Sequence, residues 1–270
     1  MPFTAAHPLA VLPLVRWRGR LGLDPTCLVI GSMAPDFEYF VRAEQLSTIS
    51  HTFRGLWLWD LPATLIVGAL VHLVVKWPML LVAPAAVARR AARVIGAPWR
   101  ARWNIAAILS CLVSTVLGSA THLVWDSVTH AKGWGPRHVH ALTTPVRIPL
   151  AGTMVVHRVL QHASTVVGLV VLTVVLVRAF RRCPGAAVPA LPRTAARACV
   201  AACMIAATAL TTARLAAMHL TDIGDLIVGV LAGVLAGTLL ASAFLFRPGR
   251  LLQRAIVSRV EAEARLGPPN

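Results

Sequence analysis

Long apolar runs separated by short, arginine-rich polar gaps make up most of this chain. A helix needs about 20 apolar residues to cross the ~30 Å hydrocarbon core of a bilayer, and it satisfies its own backbone hydrogen bonds there. Five runs approach or meet that length, at residues 56–77, 103–125, 164–180, 197–218 and 223–246. A further piece, Met79 to Ala88, is too short to cross alone and reads as re-entrant, interfacial or an extension of the first span. Residues 1–55 are only moderately apolar and are broken by Pro8 and Pro35, so short helices and loops are expected there. The pattern predicts an all-α fold: a polytopic integral membrane helical bundle with about five transmembrane helices. It reads as a single membrane domain over 1–270, with an N-terminal region (1–55), spans around a histidine-rich loop (56–180), and a C-terminal helical pair with a polar tail (181–270).

Composition supports this class. Of 270 residues, 57% are hydrophobic and 13% charged, and mean hydropathy is +0.72; a soluble domain carries about 25% charged residues. The formal net charge of +16 raises the question of nucleic acid. A nucleic-acid module, however, displays its basic residues on a soluble surface among aromatic platforms. Here they are nearly all Arg, they gather between the apolar runs, and Tyr39 is the sole tyrosine. They act as topology signals and headgroup anchors, so the expected partners are membrane lipids and no nucleic acid.

Segments 76–102, 178–197 and the tail hold 6, 5 and 5 of the 26 Lys and Arg residues. The positive-inside rule therefore puts them in the cytoplasm and the N-terminus outside, although Arg16, Arg18 and Arg20 then lie on the outer side. Trp57, Trp59, Trp77, Trp99, Trp103, Trp125 and Trp134 fall near predicted span ends, as an aromatic belt does. No cleavable signal peptide is expected, since no basic start precedes a sustained apolar stretch. The five cysteines form no C-x-x-C motif and suggest small packing residues, not a disulfide framework or a thiolate zinc site.

The end of the second span carries the candidate chemistry. In a helix, His122, Asp126 and His130 stand at i, i+4 and i+8 and share one face. Imidazole and carboxylate are ligands that zinc accepts, and H-x3-D sets two of them one turn apart; alternatively the pair hydrogen-bonds at a helix end. With the topology above, His7, Asp36, His51, His122, Asp126, His130, His138, His140, His157 and His162 all fall on one side of the membrane. Titratable residues gathered at a membrane boundary are costly unless they pair or bind something, which points to a site.

Other polar residues have plainer expectations. Asp36, after Pro35, can aim inward or cap the next helix, and Asp60 fits an N-cap before Leu61-Pro62. Glu38 and Glu44 are expected at the surface, His72 in a packing role, and His138 and His140 on a solvated loop. Arg214, His219 and Asp222 faintly resemble the last motif of membrane lipid phosphatases, but the spacing and the partner motifs fail. Gly224, Gly229, Gly233 and Gly237 instead mark a helix face built for close packing.

Several segments carry a family resemblance. They are Met1-Pro2-Phe3-Thr4-Ala5-Ala6-His7-Pro8, Val29 to Phe40 with Pro35-Asp36, Ser50-His51-Thr52 with Asp60-Leu61-Pro62, His122 to His130, and Leu160-Gln161-His162-Ala163-Ser164. Over roughly residues 1–180 they resemble the bacterial membrane family catalogued as domain of unknown function 4184. That family is similar in pattern to membrane-bound metal-dependent hydrolases and, more distantly, to the all-helical zinc phospholipase C and single-strand nuclease group. The resemblance implies that Asp36, His51, His122 and Asp126 hold a divalent metal, expected to be zinc, with His7 and His130 supplementary and one or two ions in all.

Two departures stand out. The group's second helical pair, H-x3-E, is missing, because His157 is followed four residues later by Gln161 and His162 by Val166. His7 also lies inside an unprocessed start and supplies no terminal amine. The implied chemistry is hydrolysis of a phosphoester, phospholipid or lipid-linked phosphate, by metal-activated water at the outer face of the bacterial cytoplasmic membrane. Arg54 and Lys132 are candidates either to steady a phosphate or to anchor headgroups. A non-catalytic protein using the same site for structure or metal sensing is the alternative. Nothing in the sequence fixes the oligomeric state.

Overall fold

The computed structural model describes residues 3–95, 104–149, 152–185, 194–217 and 223–266. It forms two compact units. One comprises Met1–Glu38, Ser47–Gly68 and Ala101–Val177; the other comprises Tyr39–Leu46, Ala69–Arg100 and Arg178–Asn270.

The first unit opens with a 3-10 turn at Thr4–Ala6 and helix α1 (Pro8–Arg16), which begins on proline where the missing N–H costs nothing. The short α2 (Arg18–Leu21) ends at Gly22, whose φ of 63° is the left-handed stop that glycine supplies. Helix α3 (Pro25–Gly31) is capped by Asp24, whose carboxylate accepts the Cys27 N–H at 2.8 Å. A 3-10 turn at Ala34–Asp36 leads into α4 (Phe37–Arg42), which runs on into the second unit.

The first span, Leu56–Val82, is one helical run. Wider π-helical turns at Leu56–Asp60 and Leu70–Val75 alternate in it with α5 (Leu61–Ala69) and α6 (Lys76–Val82). Of the three alternatives for Met79 to Ala88, its first part is thus an extension of the first span. The chain breaks at Ala83, and α7 (Ala85–Ile95) follows.

Helix α8 (Ile105–Thr129) starts at Asn104, whose side chain accepts the Ala107 N–H at 2.8 Å. After it come α9 (Trp134–His138), a 3-10 turn at His140–Thr143 and a small antiparallel hairpin of β1 (Pro145–Ile148) and β2 (Gly152–Val155), with Pro145 opposite Val155. Helix α10 (Val156–Arg182) begins eight residues before the expected start of the third span, so His157 and His162 belong to a helix and not to the loop.

The packing of α3 on α8 positions everything else in this unit. A methyl group on Gly31 would lie 2.8 Å from the Thr115 carbonyl oxygen, and one on Gly118 would lie 2.8 Å from the Ser32 nitrogen. Only glycine permits that approach. Ser119 Oγ donates to the Gly31 carbonyl at 3.0 Å, and the Asp24 N–H donates to Ser114 Oγ at 2.8 Å. A Cys27–Cys111 disulfide, with Cα atoms 5.5 Å apart, joins the same two helices. This corrects the packing role expected for those two cysteines: partners 84 residues apart in sequence are brought together only by the crossing.

The second unit contains α6, α7, α11 (Thr194–Ala217), α12 (Ile223–Phe244) and α13 (Phe246–Leu266). Its core includes Trp77, Leu80, Leu81, Ala88, Ala92, Ala196, Leu252 and Ile256. The glycine face of α12 does pack tightly, since a methyl group on Gly237 would lie 2.6 Å from Met204 Cα and one on Gly233 would lie 2.6 Å from Thr208 Cα, both on α11. The expected polar tail is a helix whose Leu252 and Ile256 are buried. His219 and Asp222, with Trp99 and Trp103, lie outside the described residues. Among the described residues the fold is all-α apart from the hairpin, with five helices long and apolar enough to cross a membrane.

Candidate metal centre

Helix α8 delivers His122, Asp126 and His130 along one face, as i, i+4, i+8 spacing requires. The α3–α8 crossing then sets the Ser32 carbonyl 2.8 Å from His122 Nδ1. A carbonyl only accepts, so Nδ1 donates to it and Nε2 is the nitrogen turned to the cluster. A backbone partner fixing the tautomer of a ligating histidine is the usual support of a metal site.

The 3-10 turn that begins just after Met33 places Asp36 opposite. Thr4 Oγ1 donates to Asp36 Oδ2 at 2.6 Å, which leaves Oδ1 for the cluster. Of the two expectations for Asp36, the structure shows the inward one: it is fully buried, with Oδ1 turned to the cluster.

His51 arrives on a loop organised by Glu38. That carboxylate accepts the N–H groups of Thr48, Ile49 and Ser50 at 3.0, 3.2 and 3.0 Å, and the hydroxyls of Thr48 and Ser47 at 2.7 and 3.3 Å. Glu38 is 1% exposed, which corrects its expected surface position: the three amide donors make burial of the charge tolerable. Ser47 and Ser50 hydroxyls each lie 3.0 Å from His51 Nδ1, so Nε2 is the nitrogen turned to the cluster.

Four ligand atoms converge. His122 Nε2 lies 3.5 Å from Asp36 Oδ1 and 3.3 Å from Asp126 Oδ2; His51 Nε2 lies 3.5 and 3.6 Å from the same two oxygens. All four residues offer atoms within 4.8 Å of one another. These gaps exceed the ~2.7–2.9 Å of charge-assisted hydrogen bonds. Two ligands at ~2.0–2.1 Å from one zinc ion, at the tetrahedral angle, stand about 3.4 Å apart. Among the described residues, Asp36 Oδ1, both Asp126 oxygens, His122 Nε2 and His7 Nε2 have no hydrogen-bond partner. Two buried carboxylates facing imidazole nitrogens at such distances are costly unless a cation lies between them. Asp36, His51, His122 and Asp126 thus form a cluster that could hold a metal ion.

His7 adjoins the cluster. Its ring stacks on His122 with centroids 3.7 Å apart, and its Nε2 is 3.8 Å from Asp126 Oδ1. Burial, with His122 alongside, lowers its pKa to about 4, so its imidazole is neutral and able to ligate. Burial pushes the Asp36 carboxyl up, but His122 and His51 outweigh this and hold it well below the usual carboxylate range. For His51, burial lowers the pKa, yet Asp126 and Asp36 together raise it above that of an ordinary histidine. Glu38 is held below the carboxylate range, its burial outweighed by the Ser50 and Thr48 donors.

The remaining candidates separate. His130 stands at the rim, with Nδ1 3.6 Å from Asp126 Oδ2 and 3.1 Å from the Asp126 carbonyl. His157 is buried against the Leu142 carbonyl at 3.0 Å, while His138, His140 and His162 are exposed. Arg54 and Lys132 are exposed as well. Asp60 corrects its expected capping role, since it ends a π-helical turn, is fully buried, and leaves both oxygens without a hydrogen-bond partner among the described residues. Glu38 and Asp60 lie within the segments that carry the family resemblance, but neither belongs to its implied ligand set; the further signal for Asp60 is an acidic residue inside otherwise apolar sequence.

No curated protein and no solved structure matches this chain. Over residues 1–243, however, the sequence matches the family described as Domain of unknown function (DUF4184). The chain, with its buried His/Asp cluster at the end of an apolar helix, belongs to that family.

Proposed function

We propose that this protein is a membrane-bound, metal-dependent hydrolase of phosphoesters, with zinc as the metal and phospholipid or lipid-linked phosphate as the substrate class. The convergence of Asp36 Oδ1, His51 Nε2, His122 Nε2 and Asp126 Oδ2 supports it. Two carboxylates and two imidazoles suit a borderline divalent cation and offset its charge. Such an ion supplies Lewis-acid polarisation of a phosphoryl oxygen and acidifies water.

The chain's own residues supply the rest. Thr4 and Ser32 orient Asp36 and His122, Glu38 holds the His51 loop, and His51, with 22% of its side chain exposed, marks the side from which substrate and water enter. His130, with 32% exposed, stands at the rim where a proton can pass to a leaving oxygen. His7 is placed to ligate the same ion or a second one. The distribution of Lys and Arg supports an outward-facing site in the bacterial cytoplasmic membrane.

One observation favours a second reading: four protein ligands describe a closed, structural zinc site better than a catalytic one, which keeps a position for water. Metal content of the detergent-purified protein, beside His122→Ala and Asp126→Ala, decides first. One or two ions in wild type, lost from both folded variants, are expected. Hydrolysis of bis(p-nitrophenyl) phosphate and of phosphatidic acid in mixed micelles decides next. A metal-loaded protein inactive on both would leave the structural reading, and a protein that takes up no metal after reconstitution would end both.

A further inference from the structure

Next to the cluster, within the same unit, lies an apolar cavity of ≈ 740 Å³, inside the ~300–1,000 Å³ range of small-molecule sites. Faces of α1, α8 and α10 wall it, through residues such as Ala10, Leu117, Val124, Ala163 and Val167. His7 lines it too. One imidazole thus stacks on His122 of the metal cluster and also borders the cavity.

The cavity is framed by specific contacts. The Phe3 N–H donates to Thr165 Oγ1 at 3.0 Å, and Trp125 Nε1–H donates to Ser164 Oγ at 3.2 Å. A methyl group on Gly168 would lie 2.8 Å from Ala6 Cβ, so α10 rests directly on the N-terminal turn. Between these fixed points the small side chains Ala10, Ala120 and Ala163 leave the space. From Val124 to Leu117 it follows α8 for about 10 Å away from the histidine end, most of the ~15 Å of hydrocarbon in one leaflet.

We propose that this cavity seats one hydrocarbon chain of a membrane lipid whose phosphate-bearing head lies at the metal cluster; this rests on the hydrolase reading above. Charge and polarity select the occupant. A peptide, sugar or nucleotide would bury polar groups against a nearly all-apolar wall, at the cost of unmade hydrogen bonds. The few polar residues of its lining are His7, Thr121, Ser164 and Trp125, and of these His7 meets the cluster, where a cation suits an anionic head. An amphiphile with a phosphate head and an apolar tail fits both halves at once.

The test uses the full chain reconstituted in vesicles containing phosphatidic acid with a photoactivatable diazirine midway along one acyl chain. Crosslinks are expected on half-buried cavity residues such as Leu9, Ala120 and Leu160, about tenfold above the exposed Val166, Val170 and Leu176, and suppressed by excess unlabelled phosphatidic acid. Ala163→Leu and Ala120→Leu, two independent fillings, are each expected to abolish the cavity crosslinks with metal content unchanged. They are also expected to cut phosphatidic acid hydrolysis at least tenfold while sparing bis(p-nitrophenyl) phosphate. Labelling spread evenly over the outer faces of α8 and α10, or cavity crosslinks surviving both fillings, would overturn the proposal. Failure of the hydrolase reading registers separately, as absence of metal or of activity on the soluble diester, whatever the crosslink map shows.

Discussion

Replacing Glu38 with glutamine tests whether the His51 loop is held as described. The carboxylate accepts at least five hydrogen bonds from this loop, two at Oε1 from Thr48 and three at Oε2 from Ser47, Ile49 and Ser50. Glutamine keeps one acceptor oxygen and turns an NH2 group toward the donors of the other. Whichever way the amide is placed, at least one backbone N–H loses its acceptor; with the NH2 at the Oε2 position, those of Ile49 and Ser50 both do. A hydrogen bond to a charged group contributes about 1.5–3 kcal/mol, so two lost bonds cost the loop roughly 3–6 kcal/mol.

If all of that fell on metal binding, affinity would drop about 10²–10⁴-fold at 1.4 kcal/mol per decade. With the NH2 at the Oε1 position instead, only the Thr48 N–H loses its acceptor, which costs about 1.5–3 kcal/mol and corresponds to an expected drop of about 10–100-fold, as for other outer-shell supports. The assay is competition between purified protein and a chromophoric zinc chelator, with amide hydrogen exchange of residues 47–51 as the structural readout. Ser47→Ala, which removes one hydroxyl donor, should cost less than tenfold. An E38Q protein with wild-type zinc affinity and unchanged exchange in 47–51 would refute the role given to Glu38.

Three further outcomes are expected. Adding a side chain at the helix crossing with Gly118→Val should lower stability by about 1–3 kcal/mol through overpacking and should release metal, because Ser32 and Asp36 move with α3. Gly68→Ala, whose methyl would sit 3.8 Å from Ile30 Cδ1, is the tolerated control, and thermal unfolding with metal analysis reads both. His7→Phe should keep the first ion with affinity within about 100-fold, whereas His122→Ala should lose it; equal loss from both in the chelator titration would make His7 a principal ligand. Zinc affinity should fall with pH, since the carboxylates hold His51 above an ordinary histidine and a proton must leave before it ligates. Below that pKa the expected slope is about tenfold per pH unit, with at least one proton released per ion in calorimetry run in two buffers; a pH-independent affinity would contradict it.

The sequence alone determined the membrane class and the helical stripe. Uninterrupted apolar runs have no other stable form in a bilayer, and H-x3-D within one helix makes its two ligands neighbours whatever surrounds it. The resemblance in residues 1–180 also selected Asp36 and His51. Local pattern could not show what depends on distant chain. Cys27 meets Cys111, and the Ser32 carbonyl meets His122 Nδ1, only because Gly31 and Gly118 let α3 lie directly on α8. Glu38 reads as a surface acid until the loop at 47–50 wraps it with amide donors, and Asp60 reads as a cap until the first span proves continuous through it. Tertiary structure likewise divided the histidines, drawing His7 and His51 to the cluster while leaving His138, His140 and His162 exposed. Periodicity reports which residues share a face, but which faces meet is set by the small residues and polar contacts at helix crossings, and these carry no periodic signal.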